Sequence, residues 1–391
     1  MNLKKYLPIF IFFAAFLLRI YHSNQLFFWH IDEDIIALTV KRIVVDHHIQ
    51  LIGFPIPGGI YLGPLFYYLI SFFYFIYKMN PFGLPFFAAI IGTISTLLVY
   101  KVGSIIFENK RLGLFASVVF GFSYLANVYS KVFTGLTFGP IYALLVYLFL
   151  YQNIKNKKPT NLLPLGLVLI LAVQNEGSSI SLLILALISF IIFKLKFPKK
   201  NLLFLFTAFI VSHLSLLIFD FRHNFFIIHS FFAFFSNHGS SIANVFSLDT
   251  LISALKLFPV TLSRFLYIPS PTDIGEQILP CLDLAQKRQL NISIVALATA
   301  VTIIAFFIFK SVFMKKFTIG QKIVFWHFVI LAGGLLLFNI FLNGYLYEWV
   351  LVVFFPGFAL MVGYFLNYLW QKKFVGQSIV IVFLAIFILF N

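Results

Sequence analysis

The sequence predicts an all-α fold, a polytopic bundle of about 11–13 transmembrane helices, from three observations. Apolar residues make up 61% of the 391-residue chain and charged residues only 10%. Apolar runs near the length of a bilayer span recur from one end to the other, without the period-two alternation of an outer-membrane barrel. The basic residues stand in short clusters between those runs, as the positive-inside rule expects. A formal net charge of +16 raises the question of nucleic acid, but no basic domain is present to bind it. Cys281 is alone, so an intrachain disulfide and a cysteine-based metal site are both excluded.

Apolar segments run at 6–21, 61–78, 81–107, 112–129, 133–151, 161–193, 201–219, 291–310, 322–342, 347–370 and 374–390. The first follows Lys4 and Lys5 and lacks a small-residue cleavage site, which fits an uncleaved first span. Segment 161–193 exceeds one span and is broken at Gln174-Asn175-Glu176-Gly177. Lys155, Lys157 and Lys158, then Lys194 to Lys200, Lys310 to Lys322, and Lys372 with Lys373 mark the expected cytoplasmic side. That orientation puts a first loop (22–60) and a long loop (220–290) outside, the latter expected to hold interfacial helices. Between residues 60 and 108 two apolar segments stand where an odd number of crossings is required, so either one is re-entrant or the Glu108–Arg111 link is outside. No internal repeat or linker divides the chain, and 1–391 reads as a single transmembrane domain.

Of the twelve acids, all but Glu108 fall on the expected outer side. Asp32, Glu33 and Asp34 are consecutive and follow Trp29-His30-Ile31, at an aromatic membrane–water belt. Ile36, Val40, Ile43 and Val44 then recur at helical spacing, while Lys41, Arg42 and Asp46 forbid a span, so a helix over 35–48 lying in the interface is expected. Acids at a helix start are ordinarily dipole-stabilised solvated groups. Desolvation at a membrane boundary, however, raises a carboxylate's pKa and suits it to general-base work. Asp32-x-Asp34 also matches a short acidic metal-holding pattern, although residues two apart on a helix diverge.

Further motifs accompany these acids. Leu51-Ile52-Gly53 leads to Gly63-Pro64-Leu65-Phe66-Tyr67-Tyr68; Phe122-Ser123 leads to Tyr129-Ser130-Lys131; Gly166 to Ser179 ends in a polar turn; Phe219-Asp220-Phe221-Arg222-His223-Asn224-Phe225 opens the long loop; Pro356 stands within Tyr347 to Tyr364. In order and spacing this resembles the polytopic GT-C-type glycosyltransferases, the group of protein O-mannosyltransferases and lipid A aminoarabinose transferases. Two departures are Lys131 where the family has Arg, and Glu176 where its turn usually carries His.

The resemblance implies an inverting transfer of a sugar from a polyprenyl-phosphate donor to an acceptor hydroxyl of a protein, lipid or glycan. The reaction would take place at the outer face of a plasma-membrane protein. By motif, Asp32 is the general base, with Glu33 and Asp34 positioning the acceptor and Asp34 the fallback base. Arg222, assisted by His223 and Lys131, would hold the donor phosphate, since guanidinium grips phosphate bidentately; the plain alternative is snorkelling at span ends. Glu176, Tyr347 and Glu348 are possible substrate contacts, against a polar turn for the first and belt anchoring for the other two. No cofactor is expected, and a divalent metal is left open. The competing readings are a multi-span transporter, disfavoured by charges at span ends and the lack of a repeat, and a non-catalytic lipid-handling protein.

Overall fold

A computed structural model describes residues 3–21, 31–56, 59–80, 83–131, 133–157, 161–195, 198–238, 248–269, 292–313, 318–341 and 348–391. The elements are α1 (Leu3–Ile20), α2 (Ile31–Val44), a two-stranded antiparallel hairpin of β1 (Pro55–Ile56) and β2 (Ile60–Tyr61), α3 (Leu65–Ile76), α4 (Leu84–Ile106), α5 (Lys110–Phe122), α6 (Tyr124–Tyr129), α7 (Gly139–Asn156), α8 (Leu162–Asn175), α9 (Ile180–Ile192), α10 (Lys199–Arg222), α11 (Phe226–His238), α12 (Leu248–Leu266), α13 (Ile294–Phe313), α14 (Ile319–Phe341), α15 (Phe355–Trp370) and α16 (Lys373–Phe390). The all-α expectation holds.

The bundle has one basic and one acidic end. At the basic end Lys155 donates to Glu108 at 2.5 Å, Arg111 lies over Trp370, Lys310 and Lys372 share the Tyr368 ring, and Lys322 covers Phe193. Asn109 caps α5, accepting from the backbone N–H groups of Arg111 and Leu112, so the chain reverses within a few residues. At the other end stand Glu33, Glu176, Asp220 and Glu348, where Ser123 donates to the Phe265 carbonyl at 2.7 Å and Arg264 meets Glu348.

Among the described residues, eleven helices are apolar rods, five of them shorter than a span. Six are by themselves long and apolar enough to cross a membrane: 84–106, 135–156, 199–222, 294–313, 348–370 and 373–390. The crossing between residues 60 and 108 resolves through α3. At 12 residues it rises about 18 Å, well short of a bilayer's roughly 30 Å. Left-handed backbone at Lys78 and Met79 (φ 51° and 63°) ends it and returns the chain to α4. Of the two, only α4 is long and apolar enough to cross, and the Glu108–Arg111 link lies at the basic end.

Core packing centres on the rod 348–370, the most buried of the six. Phe354, Phe355 and Phe358 fill it, and Gly363 lets α15 approach α5: a Cβ there would stand 2.9 Å from the Ala116 Cβ and the Leu112 carbonyl. Small residues give membrane helices this close contact where hydrophobic exclusion gives them no drive. His327, fully buried on α14, links Tyr147 and Ser181 of two other helices.

In the long loop α12 packs on the bundle: Leu257, Phe258, Leu262, Phe265 and Leu266 are buried, with Phe258 against Phe328 and Phe354, and Phe265 against Phe120 and Phe355. Its apolar face is covered by the bundle, not by lipid headgroups.

Candidate active site

The first-loop helix starts earlier than the spacing suggests, at Ile31, so all three acids stand in its first turn. Ile36 and Val40 are buried, and α2 packs on α3 through that face. The three carboxyls then part. Glu33 is buried, only 2% exposed, and its charge reaches the Tyr74 phenol; Asp32 is half-buried beside Tyr67, which hydrogen-bonds Thr39; Asp34 is exposed. Of the three, Asp32 combines a packed surrounding with open access.

Across α3 lies the stretch at 129–131 and 133–138. Phe133 meets Phe73, and Phe138 meets Phe66, both on α3. Two polar side chains of this stretch reach different charged groups. Tyr129 hydrogen-bonds Glu348, whose Oε1 also accepts from the Arg264 guanidinium at 3.0 Å. Ser130 accepts from Arg19 Nε at 3.3 Å, and Lys131 follows it. Gly135 packs on the Asn175 carbonyl so closely that any Cβ would overlap it, and the same Cβ would stand 3.3 Å from a Glu176 carboxylate oxygen.

Lys131 is half-buried, and burial, followed by the nearby Arg19 charge, holds its ammonium below the ordinary lysine range. Glu176 lies in the turn between α8 and α9, accepting from the Ser178 N–H; burial of its carboxyl pushes its pKa up to about 7. The folded state therefore holds a proton that the unfolded chain releases near 4.5, so this stabilisation is present below pH 4.5 and is lost as pH rises through 7. The thermal midpoint of the wild type is expected to fall between pH 5 and pH 8 by more than that of Glu176→Gln; equal slopes in a thermal-shift series would refute this assignment. Substituting Gly135→Ala should displace the 133–138 stretch from Glu176, costing about 1–3 kcal/mol of stability, measurable by denaturation in detergent.

Glu348 does not anchor at the aromatic belt: it is 3% exposed and ion-paired inside the bundle. Tyr347 lies outside the described residues. Asp220 is buried and caps α11, its Oδ1 accepting from Ile227 N–H at 2.6 Å. His223 stacks on Phe219 at 4.0 Å and engages that residue's carbonyl, while Arg222 is exposed and has no partner among the described residues. Phe219 meets Tyr61 of the hairpin, so the two regions touch, but among the described residues no contact joins Arg222 to the acids or to Lys131. Arg19 and Arg264 are the participants that sequence reasoning missed; Tyr129 is visible there only as part of its motif. Among the described residues no three His, Cys, Asp or Glu side chains are grouped as a metal site would require.

Residues 62–219 match the family model described as dolichyl-phosphate-mannose-protein mannosyltransferase. Two solved structures share the fold. One is the archaeal oligosaccharyltransferase AglB from Archaeoglobus fulgidus, in complex with an inhibitory peptide and a dolichol-phosphate, at 13% identity and a TM-score of 0.55. The other is an apo form of the Archaeoglobus fulgidus oligosaccharyltransferase, at 14% identity and a TM-score of 0.56. In both, 97% of this chain aligns with 52% of the other, so the chain spans about half the length of these proteins. No curated protein matches it. The family model and the shared fold both belong to the GT-C-type glycosyltransferases, and the resemblance read in the sequence is borne out.

Proposed function

We propose that this integral membrane protein, with the fold of a GT-C-type glycosyltransferase, moves a sugar from a polyprenyl-phosphate donor to an acceptor hydroxyl at the acidic end of its bundle. The observation that supports this reading is the first turn of α2, where Asp32 is only half-buried while Glu33 is buried. In the reaction Asp32 takes the proton of the acceptor hydroxyl as that oxygen bonds to the anomeric carbon. The bond from that carbon to the phosphate oxygen breaks on the opposite face, and the lipid phosphate leaves with the electron pair. Configuration is thereby inverted. Cations must hold the departing phosphate, and Lys131 and Arg222 are the proposed contacts. The basic clusters at the other end support a cytoplasmic orientation for it and, with that, a reaction on the outer side of a plasma membrane.

Purified protein incubated with radiolabelled polyprenyl-phosphate sugars and hydroxyl acceptors should release free lipid phosphate and give a product of inverted anomeric configuration. Retention of configuration, or no turnover of any donor by folded protein, would overturn the reading.

A further inference from the structure

The turn that follows α6 gathers three cations, one of them paired with a carboxylate. Tyr129 leads to Glu348 and Arg264, Ser130 to Arg19, and Lys131 stands at the end. Arg264 and Glu348 neutralise one another. Arg19 and Lys131 have no such answer: the charge acting on Lys131 is that of Arg19, and Arg19 engages only neutral acceptors. Those are Ser130 Oγ at 3.3 Å and the carbonyls of Ala15 and Gly121, each at 3.1 Å. Its remaining nitrogen, Nη2, is buried without a hydrogen-bond partner, and the whole residue is fully buried.

Burying a cation at a membrane protein's core is costly unless a counter-charge is near. Placing a second cation beside it makes that cost larger still. For bracing helices, a neutral Gln or Asn would make the same carbonyl contacts without the charge. What a paired positive charge does uniquely is to attract an anion. Lys131, half-buried, is the side through which one would enter.

We infer that Arg19 is the second cation of the donor-phosphate subsite, lying behind Lys131 and drawing the phosphate of a polyprenyl-phosphate lipid toward it through its field. This rests on the proposed function. Arg19 is then a positioning residue: Lys131 touches the phosphate, and the fixed guanidinium adds attraction that survives because the intervening medium is protein and not water.

The test uses the full chain in nanodiscs, with decaprenyl phosphate, decaprenol and inorganic phosphate as probes and native mass spectrometry as readout. Wild type should prefer decaprenyl phosphate to decaprenol. Arg19→Gln should weaken binding of the phosphate lipid about tenfold, leave decaprenol within twofold, and be rescued to within threefold by Arg19→Lys. Lys131→Gln, which leaves Arg19 in place, should keep part of the preference. Loss of affinity for both lipids in Arg19→Gln would mark a structural brace and overturn the inference. So would complete loss of the preference in Lys131→Gln, which also decides the matter if Arg19→Gln does not fold. Unchanged phosphate-lipid binding in Arg19→Gln would sink the inference while leaving the proposed function standing. A wild type that does not distinguish the two lipids, or that binds inorganic phosphate as tightly as the lipid, would instead sink the proposed function and this inference with it.

Discussion

Glu348→Ala is expected to destabilise the protein by about 3–5 kcal/mol, the cost of leaving one member of a buried ion pair uncompensated. The side chains of Arg264 and Glu348 are only 6% and 4% exposed, and the contact joins α12 to the head of the rod 348–370. Arg264→Met should cost a similar amount. The pair is not thereby a large net source of stability, because both ions were desolvated on folding. A double variant, Arg264→Met with Glu348→Leu, should accordingly recover most of the loss. Tyr129 separates the two interpretations of the pair. If Glu348 orients Tyr129 and the turn after it, the double variant will be stable but poor in sugar transfer. If the pair only holds helices together, stability and transfer will recover in parallel. Thermal unfolding and donor turnover on the same four proteins give the answer.

The pair also shows why part of the site was not legible in the sequence. Arg264 and Glu348 are 84 residues apart, and Arg19 reaches Ser130 and Gly121 across more than 100. An arginine near the end of a first apolar run looks like a snorkelling anchor, and nothing local marks it as buried. α12 is a related case. Asp249, Lys256, Pro259 and Arg264 break its apolar pattern as they would in an interfacial helix, yet its other face is enclosed by Phe328, Phe354 and Phe358. Amphipathicity reports that a helix has an apolar face, not what covers it. Local signals served better. Ile36 and Val40, predicted to share a face, are the residues that α2 buries, and the lysine clusters do collect at one end. The length of α3 lay between these cases: composition allowed a span over 61–78, and the left-handed turn at Lys78 and Met79 is what shortened it.

Asp32→Asn is expected to lower the rate of sugar transfer by about 10²–10⁴-fold, the usual contribution of a positioned general base. The substitution keeps size and hydrogen-bonding groups, so donor KM should change little and the loss should appear in kcat. Its neighbours test the assignment because the fold treats them differently. Glu33 is buried beside Tyr74, so Glu33→Gln acts first on the packing of α2 and α3 and should lower the thermal midpoint along with activity. Asp34 is exposed, so Asp34→Asn should remain within a few-fold of wild type in both rate and stability. A rate-dead Asp34→Asn beside an active Asp32→Asn would move the base two residues along the helix, which turns the reactive carboxyl by roughly 200° about the helix axis. The acceptor would then have to approach from the solvent side of α2 and not from the groove that α2 forms with α3. The pair of variants therefore locates the acceptor as well as the base.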